Sequence, residues 1–445
     1  MSGRSNHWLP RARPLPPGRA QTIAVLDIGS SKICCLIARL RPQRAESELA
    51  GRTHSIEVVG VGQQRATGVK RGAITDMEQA ERAIRLAVDS AERMAGVTVE
   101  SIVVNVSSGR LESDHYAASV SVSGDSVSDD DIRRVLEAGR THTVQPDRVV
   151  LHSLPIAFSL DSAGGISDPR GMVGRELGID MHLVTAQAAP VRNLILCVER
   201  SHLNVEAVVA SPYAAGLAAL TADELELGSA CIDMGGGTTT FGVFAYGRFV
   251  CADAIALGGH HVTMDLARGL STSIEAAERI KTLYGSAIGS GLDHRDMISV
   301  PLVGEGDYPG ANQVPRSVVT EIIRPRVEEI LELVRDRLRA TPFSALSGQR
   351  AVLTGGASQL PGVTDLAERI TGYQVRMGRP LGVSGMPDSG RGPAFATTVG
   401  LLVYPQLADI ERHDRSGGRS GGRIGAAAAG DGYFARVGNW IRDSF

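Results

Sequence analysis

An excess of basic residues, a long apolar run and any paired-cysteine spacing are all missing from this chain, and each absence removes a class of function. Net charge is −3 over 445 residues with no basic stripe, so the electrostatic footprint of a nucleic-acid binder is lacking and no nucleic-acid partner is expected. No stretch approaches the ~20 apolar residues that a membrane-crossing helix needs. Residues 1–20 carry Arg4, Arg11, Arg13 and Arg19 among prolines, with no apolar segment of the kind that opens a secretory signal; this stretch reads as a disordered tail. Cys34, Cys35, Cys197, Cys231 and Cys251 lie inside apolar runs without CxxC spacing or a histidine at ligand distance. They read as small core residues of a protein made and kept in a reducing cytoplasm. Neither G-x-x-x-x-G-K-[ST] nor G-x-G-x-x-G occurs, which excludes the P-loop and the dinucleotide fingerprint. A nucleotide, if bound, needs another architecture.

What the chain does have is a motif used twice. Asp27-Ile28-Gly29-Ser30-Ser31-Lys32 and Asp233-Met234-Gly235-Gly236-Gly237-Thr238-Thr239-Thr240 lie 206 residues apart, and each sits between two apolar runs. Each reads as a tight β-turn-β unit whose glycines let backbone N–H groups and hydroxyls converge on an anion. The aspartate closing each first strand is placed for a magnesium ion, reached through water. One copy alone would be an ordinary hairpin turn; the strand-flanked pair carries the inference of phosphate binding.

Around these units the pattern is α/β, in a chain long enough for two or more domains. Strands are expected near 22–28, 33–40, 56–62 and 101–107, with an amphipathic helix at 77–95. From about 108 to 182 the texture becomes polar and Ser-rich around a helix opened by Ser128 and Asp131, which reads as an inserted subdomain. A helix at 190–200 and a strand at 205–210 resume the earlier style. Helices follow across 259–284, where Thr272 with Glu275 supplies a capping box and Gly285 the stop. A strand is expected within 297–303. A helix from about Arg316 to Arg339 should kink at Pro325. A strand at 351–354 and helices at 362–370 and 394–403 complete the body. The Gly/Ser/Arg stretch within 406–430 cannot pack a core and reads as a linker. Beyond it Tyr433, Phe434, Val437, Trp440, Ile441 and Phe445 share one side of a helical wheel, the pattern of a helix lying in a membrane surface. Such a helix anchors weakly, so it gains from many copies side by side.

Two further sites keep two readings each. Glu278 and Lys281 are either a surface i,i+3 ion pair or a polar pair reaching a nucleoside. Gly355-Gly356-Ala357, at the end of an apolar strand, is either an ordinary strand-to-helix turn or a place where a ligand meets backbone.

Taken in order, these motifs resemble the actin-like ATPase superfamily. Pro169 to Met172, His182 to Thr185, Ser229 to Thr240, Gly258 to Thr263, Ala277 to Lys281, Leu353 to Ala357 and the Trp440 tail are similar to its FtsA branch of bacterial cell-division proteins. The resemblance covers about residues 22–405 and the tail. It implies an actin-like two-lobed α/β fold, with ribonuclease-H-like halves around an ATP cleft and an inserted subdomain 1C.

The implied division is subdomain 1A at 21–107, 183–212 and 384–405, 1C at 108–182, 2A at 213–258 and 325–383, and 2B at 259–324. A linker at 406–430 and a membrane-targeting helix at 431–445 follow. ATP with Mg2+ would be held by Asp27, Gly29, Ser30, Ser31 and Lys32 in one loop and by Asp233, Gly235, Gly236, Thr238 and Thr239 in the other. Glu278 and Lys281 would face the nucleoside, and Gly355, Gly356 and Ala357 would border it. Implied partners are the tail of the tubulin-like protein FtsZ on 2B, further copies of the chain in filaments, membrane lipids and later division proteins. Two departures from the family pattern stand out. Thr240 replaces an Asp found in many relatives, which weakens the expectation of hydrolysis, and the Arg-rich start is an addition. The competing functions are a small-molecule kinase on the same fold, for which no carboxylate base can be nominated, and a chaperone-like ATPase, which lacks its substrate domain.

Overall fold

The computed structural model describes residues 9–13, 15–16, 18–43, 49, 51–108, 110–140, 144–161, 163–303 and 312–408. The expected membrane helix at 431–445, and the linker from 409 onward, lie outside these.

Two sheets repeat one plan. The first runs in the order Asn204–Ala210, Ser101–Val106, Gln21–Ile28, Lys32–Pro42, His54–Arg65, Val383–Ser384. The second runs Arg248–Ile255, Thr239–Ala245, Ser229–Met234, Arg350–Thr354, Gln374–Met377. In each, the strand carrying the motif aspartate pairs antiparallel with the strand that follows it and parallel with a later one. The repeat seen in sequence is therefore a repeat of fold, and it sets both aspartates at the carboxyl ends of inner strands. These strands are covered on both faces, which is why they read as unbroken apolar runs. All five cysteines are buried, as expected of core residues.

The helix Met77–Ala95 packs on the first sheet. Asp76 accepts from the Gln79 N–H at its start, and Gly96, at φ 68, closes it in the left-handed region where glycine is favoured. Between the lobes, helix Ser211–Ala219 crosses helix Ala396–Val403, both buried almost throughout.

Several local expectations are corrected. The N-cap of the helix Ile274–Tyr284 is Ser273, whose side chain accepts from the Ala276 N–H. Thr272 instead donates its hydroxyl to the Pro301 carbonyl, and Glu275 pairs with Arg65. The long helix holds Pro325 within it and runs from Arg316 to Ala340, one residue past its expected end. The strand within 297–303 is only Met297–Ser299. Part of the Arg/Pro-rich start is packed rather than loose, since Leu9 and Ala12 join the first lobe's core. The body also runs past 405, because the Gln406 side chain accepts from the backbone N–H of Thr53 and His54 and Ala408 is buried.

The insertion is a four-stranded antiparallel sheet, in the order Glu112–Ser121, Glu176–Gln187, Arg148–Leu160, Ala163–Ile166, with helix Asp129–Arg140 against it. The Ser128–Asp131 box closes reciprocally, at 2.9 and 3.3 Å. Its last long strand continues to Gln187, beyond residue 182.

The insertion meets the second lobe through two stacked histidines, with centroids 4.9 Å apart. His115 donates Nε2–H to the Val250 carbonyl at 2.7 Å, and His182 donates Nδ1–H to that of Phe249 at 2.8 Å. Burial lowers His115 to about 4 and pushes His182 well down as well, so both are neutral in the native state. A histidine whose folded pKa is depressed gives stability that is present above its unfolded value near 6.5 and is lost as pH falls toward 4. The thermal midpoint should therefore drop across pH 6.5 to 4, and His115→Phe, which keeps an aromatic ring against Phe343, should shrink that drop. An unchanged acid decline in the variant would show that this joint does not carry it.

Candidate functional site

The two hairpins close identically. Gly29 N–H donates to the Lys32 carbonyl at 3.0 Å, and Gly235 N–H to that of Thr238 at 2.9 Å. A Cβ at either glycine would lie 2.9 Å from that same carbonyl oxygen, so each turn can be this tight only with glycine. The loops face each other across one cleft. A cavity of about 420 Å³ is lined by Asp27, Ser30, Lys32, Asp233, Gly235 and Thr238 among others. It adjoins an outer chamber of about 1320 Å³ that includes Gly236, Gly356, Ala357, Glu278 and Lys281. Residues expected from four separate stretches of sequence thus border one continuous space.

Both carboxylates are held from behind by consecutive threonines of one helix. Thr398 donates its hydroxyl to Asp27 at 2.9 Å, and Thr397 donates to Asp233 at 2.6 Å. Asn105 accepts from the Ile28 N–H at 2.7 Å and donates to Ser211. Burial raises Asp27, against the opposing pull of Lys32, and lifts Asp233 to about 6, helped by the negative charge of Asp27. Burial likewise lowers Lys32, whose ammonium sits 3.4 Å from the centroid of the Phe395 ring. Two acidic groups sharing one cavity, each kept from ionising freely, form a site short of positive charge. Among the described residues no cluster of three or more metal-ligating side chains occurs. A cation here would therefore rest on two carboxylates, with water and a ligand's oxygens completing its shell, the habit of Mg2+.

Thr239 does not face this space. It is fully buried and its hydroxyl donates to the Leu257 carbonyl at 2.9 Å. The residue that does is Thr240, directly across the ladder from Asp233. Its hydroxyl is buried and has no partner among the described residues, so an oxygen-bearing ligand would satisfy a group that they leave open. The counterpart of Thr240 in the first hairpin is Cys34, paired with Asp27, whose thiol burial pushes up to about 12.

The ion-pair reading of Glu278 and Lys281 holds in the structure. They form an ion pair at 2.7 Å, and Lys281 also donates to the buried Thr263 at 2.8 Å and to the Gly259 carbonyl at 3.3 Å, with Glu278, Lys281 and Gly259 on the wall of the outer chamber. Burial would raise Glu278, but the Lys281 charge and hydrogen bonds from Lys281 and Thr263 outweigh it and hold the carboxyl below its usual value. Gly355 sits at φ 87 with its N–H on the Pro393 carbonyl. It borders the small cavity, while Ala357 borders the chamber and begins a short 3-10 turn.

Asn105, Thr397 and Thr398 carried no sequence signal, being ordinary polar residues in apolar elements. Thr240 did carry one. In an antiparallel hairpin, residues directly opposite share a face, so a register centred on the glycines pairs it with Asp233.

Comparison with known proteins places these observations. The family model described as "Cell division protein FtsA" matches residues 230–400, and "SHS2 domain inserted in FTSA" matches residues 108–185. The cell division protein FtsA of Rhizobium meliloti (strain 1021) is 54% identical over 446 residues, covering 100% of both chains. Among solved structures, the PilM-PilN type IV pilus biogenesis complex aligns with a TM-score of 0.58 at 16% identity, over 86% of this chain and 98% of that one. MreB5 of Spiroplasma citri bound to ADP aligns with a TM-score of 0.50 at 14% identity, over 88% and 98%.

Proposed function

The chain belongs to the FtsA family of cell-division proteins and has the actin-like fold with an inserted SHS2 domain, and from that premise we propose that it is an ATP-binding scaffold. It holds Mg·ATP between its lobes, assembles side by side with its own copies, and ties the FtsZ ring to the cytoplasmic face of the membrane, where later division proteins join. The observation that carries this reading is the convergence of Asp27 and Asp233, from two copies of one hairpin, on a single cavity with an unsatisfied Thr240 hydroxyl.

Bound Mg2+ would neutralise the phosphates and the two carboxylates together. The protein's own part is to orient. Thr397 and Thr398 fix the carboxylates, the glycine turns present N–H groups, Lys32 supplies a cation, and the Glu278–Lys281 pair faces the nucleoside end. The solved MreB5 relative of this fold carries ADP, which supports a nucleotide in this cleft. Glu278 is already tied to Lys281 and Thr263, and Asp27 and Asp233 would be taken up by the cation, so no carboxylate of the described cleft is left free to act as a general base. That favours a clamp, in which ATP sets a filament-competent lobe arrangement, over a small-molecule kinase.

The FtsZ tail is assigned to residues 259–324. Leu283, Tyr284, Leu292 and Met297 are large apolar side chains exposed there, and exposed apolar residues of this size support a docking role.

Membrane attachment falls to the aromatic stretch at 433–445, since no helix among the described residues is long and apolar enough to cross a bilayer. Sedimentation with anionic liposomes tests this. The full chain with ATP should pellet and recruit FtsZ, whereas deletion of Gly432 to Phe445 should leave it in the supernatant with ATP binding intact. Continued pelleting of the truncated protein would sink the tether.

A further inference from the structure

We propose that Arg71 reads the terminal phosphate of the nucleotide, so that the cleft distinguishes a nucleoside triphosphate from a diphosphate. This rests on the reading of the cleft as a nucleotide site, and adds a residue that lies in neither Asp-x-Gly loop.

Arg71 is at the tip of a two-residue hairpin between strands Val69–Lys70 and Ala73–Ile74, with Arg71 at φ 50 and Gly72 at φ 71. Turns of this form favour Asn or Asp before Gly, so arginine at the first position occupies a backbone region that side chains of its kind avoid. Such a conformation persists where the surroundings impose it and is concentrated at ligand clamps. Here the surroundings are the two phosphate loops themselves. Gly72 N–H donates to the Ser30 hydroxyl of the first loop at 2.8 Å. On the other side, a Cβ added to Gly237 of the second loop would lie only 3.0 Å from the Arg71 Cα, and 2.4 Å from Ser30 Oγ. The hairpin tip is therefore wedged where the two loops meet.

Charge in the outer chamber points the same way. Its three carboxylates already have cations, with Glu275 on Arg65 at 3.1 Å, Glu278 on Lys281 at 2.7 Å and Asp265 on Arg326 at 2.6 Å. Arg71 lines the same chamber, is exposed, and has no carboxylate partner among the described residues. A guanidinium offers a planar fork of N–H donors matched to two phosphate oxygens, and such paired, charge-assisted bonds are both strong and directional. A diphosphate, ending deeper between the loops, would leave that fork unused. Strain at Arg71 then has a physical reason: the position that meets the last phosphate is the one that must carry the arginine.

The test is fluorescence titration of the full-length protein with labelled ATP and labelled ADP, each with Mg2+, alongside thermal melts. Arg71→Gly suits the positive φ better than arginine does, so it removes the guanidinium without unfolding the turn. It should melt no lower than the parent yet bind ATP roughly ten-fold more weakly with ADP affinity changed little, the scale of one charge-assisted contact. Arg71→Lys should recover part of the preference. An unchanged ATP-to-ADP affinity ratio in Arg71→Gly, or equal losses for both nucleotides, would overturn the assignment while leaving the cleft reading intact. A parent protein that binds neither nucleotide would instead overturn the cleft reading, and this assignment with it.

Discussion

Asp233→Asn should make the protein more resistant to heat at pH 7 and at the same time strip it of Mg·ATP. Asp233 is raised to about 6 by burial and by its neighbour Asp27. A group whose folded pKa lies above its unfolded value gives stability that is fully present below the unfolded pKa, near 3.8, and lost as pH rises through about 6. At pH 7 the native protein therefore carries an ionised carboxylate in a place that disfavours it. The shift of about two units corresponds to at most ~3 kcal/mol at 1.36 kcal/mol per unit, less whatever the water in the cavity already screens. Asparagine mimics the protonated form, and its amide oxygen can still accept from Thr397. Melts of the nucleotide-free variant should accordingly lack the decline that Asp233 imposes on the parent as pH rises from 4 to 6, and keep the acid-side drop of the buried histidines. On the proposed Mg·ATP reading binding goes the other way, because the carboxylate would be half of the charge that meets the cation. Mg·ATP affinity should fall by roughly 100-fold or more, as when one partner of a desolvated charge contact is neutralised. A variant that is no more stable than the parent, or that binds Mg·ATP as well, would contradict this account. In the parent, Mg·ATP should also bind more weakly as pH drops through 6, since protons and cation compete for one oxygen pair.

This opposition between stability and binding bears on what was legible in the chain. The aspartates could be found because a hairpin is local: a strand, a glycine turn and a second strand fall within a dozen residues, and the same chemistry appears twice. The threonines that hold them could not, because Thr397 and Thr398 are 164 and 371 residues from their partners. Distances of that size are set by how the lobes dock, which no periodicity records. Thr239 and Thr240 show the intermediate case. Composition offers both hydroxyls, and only strand register decides that Thr240 shares a face with Asp233. Ser273 and Thr272 are similar, adjacent hydroxyls of which one caps the helix while the other is drawn to the Pro301 carbonyl by tertiary packing. At the start of the chain, an Arg/Pro-rich composition argues against a core of its own but says nothing about docking on another. Leu9 and Ala12 suffice to seat that segment on the first lobe.

Gly400→Ala should be among the most damaging single methyls in the protein that touch no ligand. Gly400 lies on helix Ala396–Val403, where that helix crosses Ser211–Ala219 between the lobes, and an added Cβ would fall 1.8 Å from the Ala214 carbonyl oxygen and 2.3 Å from its carbon. The obstacle is backbone on a helix buried on all sides, so no side chain can rotate away and one helix must move. Overpacking of this kind costs on the order of 3 kcal/mol or more, which differential scanning calorimetry would register as a drop of several degrees. The more telling consequence is chemical. Thr397 and Thr398 stand one turn or less before Gly400 on the same helix, and their hydroxyls are the bonds that fix Asp233 and Asp27. Displacing the helix releases both carboxylates at once, although they belong to different lobes. Gly400→Ala should therefore lose Mg·ATP affinity beyond what its stability loss predicts, whereas a destabilising change remote from this helix, such as Ile84→Ala beneath the first sheet, should lower the melt without doing so. Equal binding in the two variants, measured well below both melting points, would show that the helix only packs the lobes together. The expected inequality would make the crossing of these two helices the element through which nucleotide and lobe arrangement are joined.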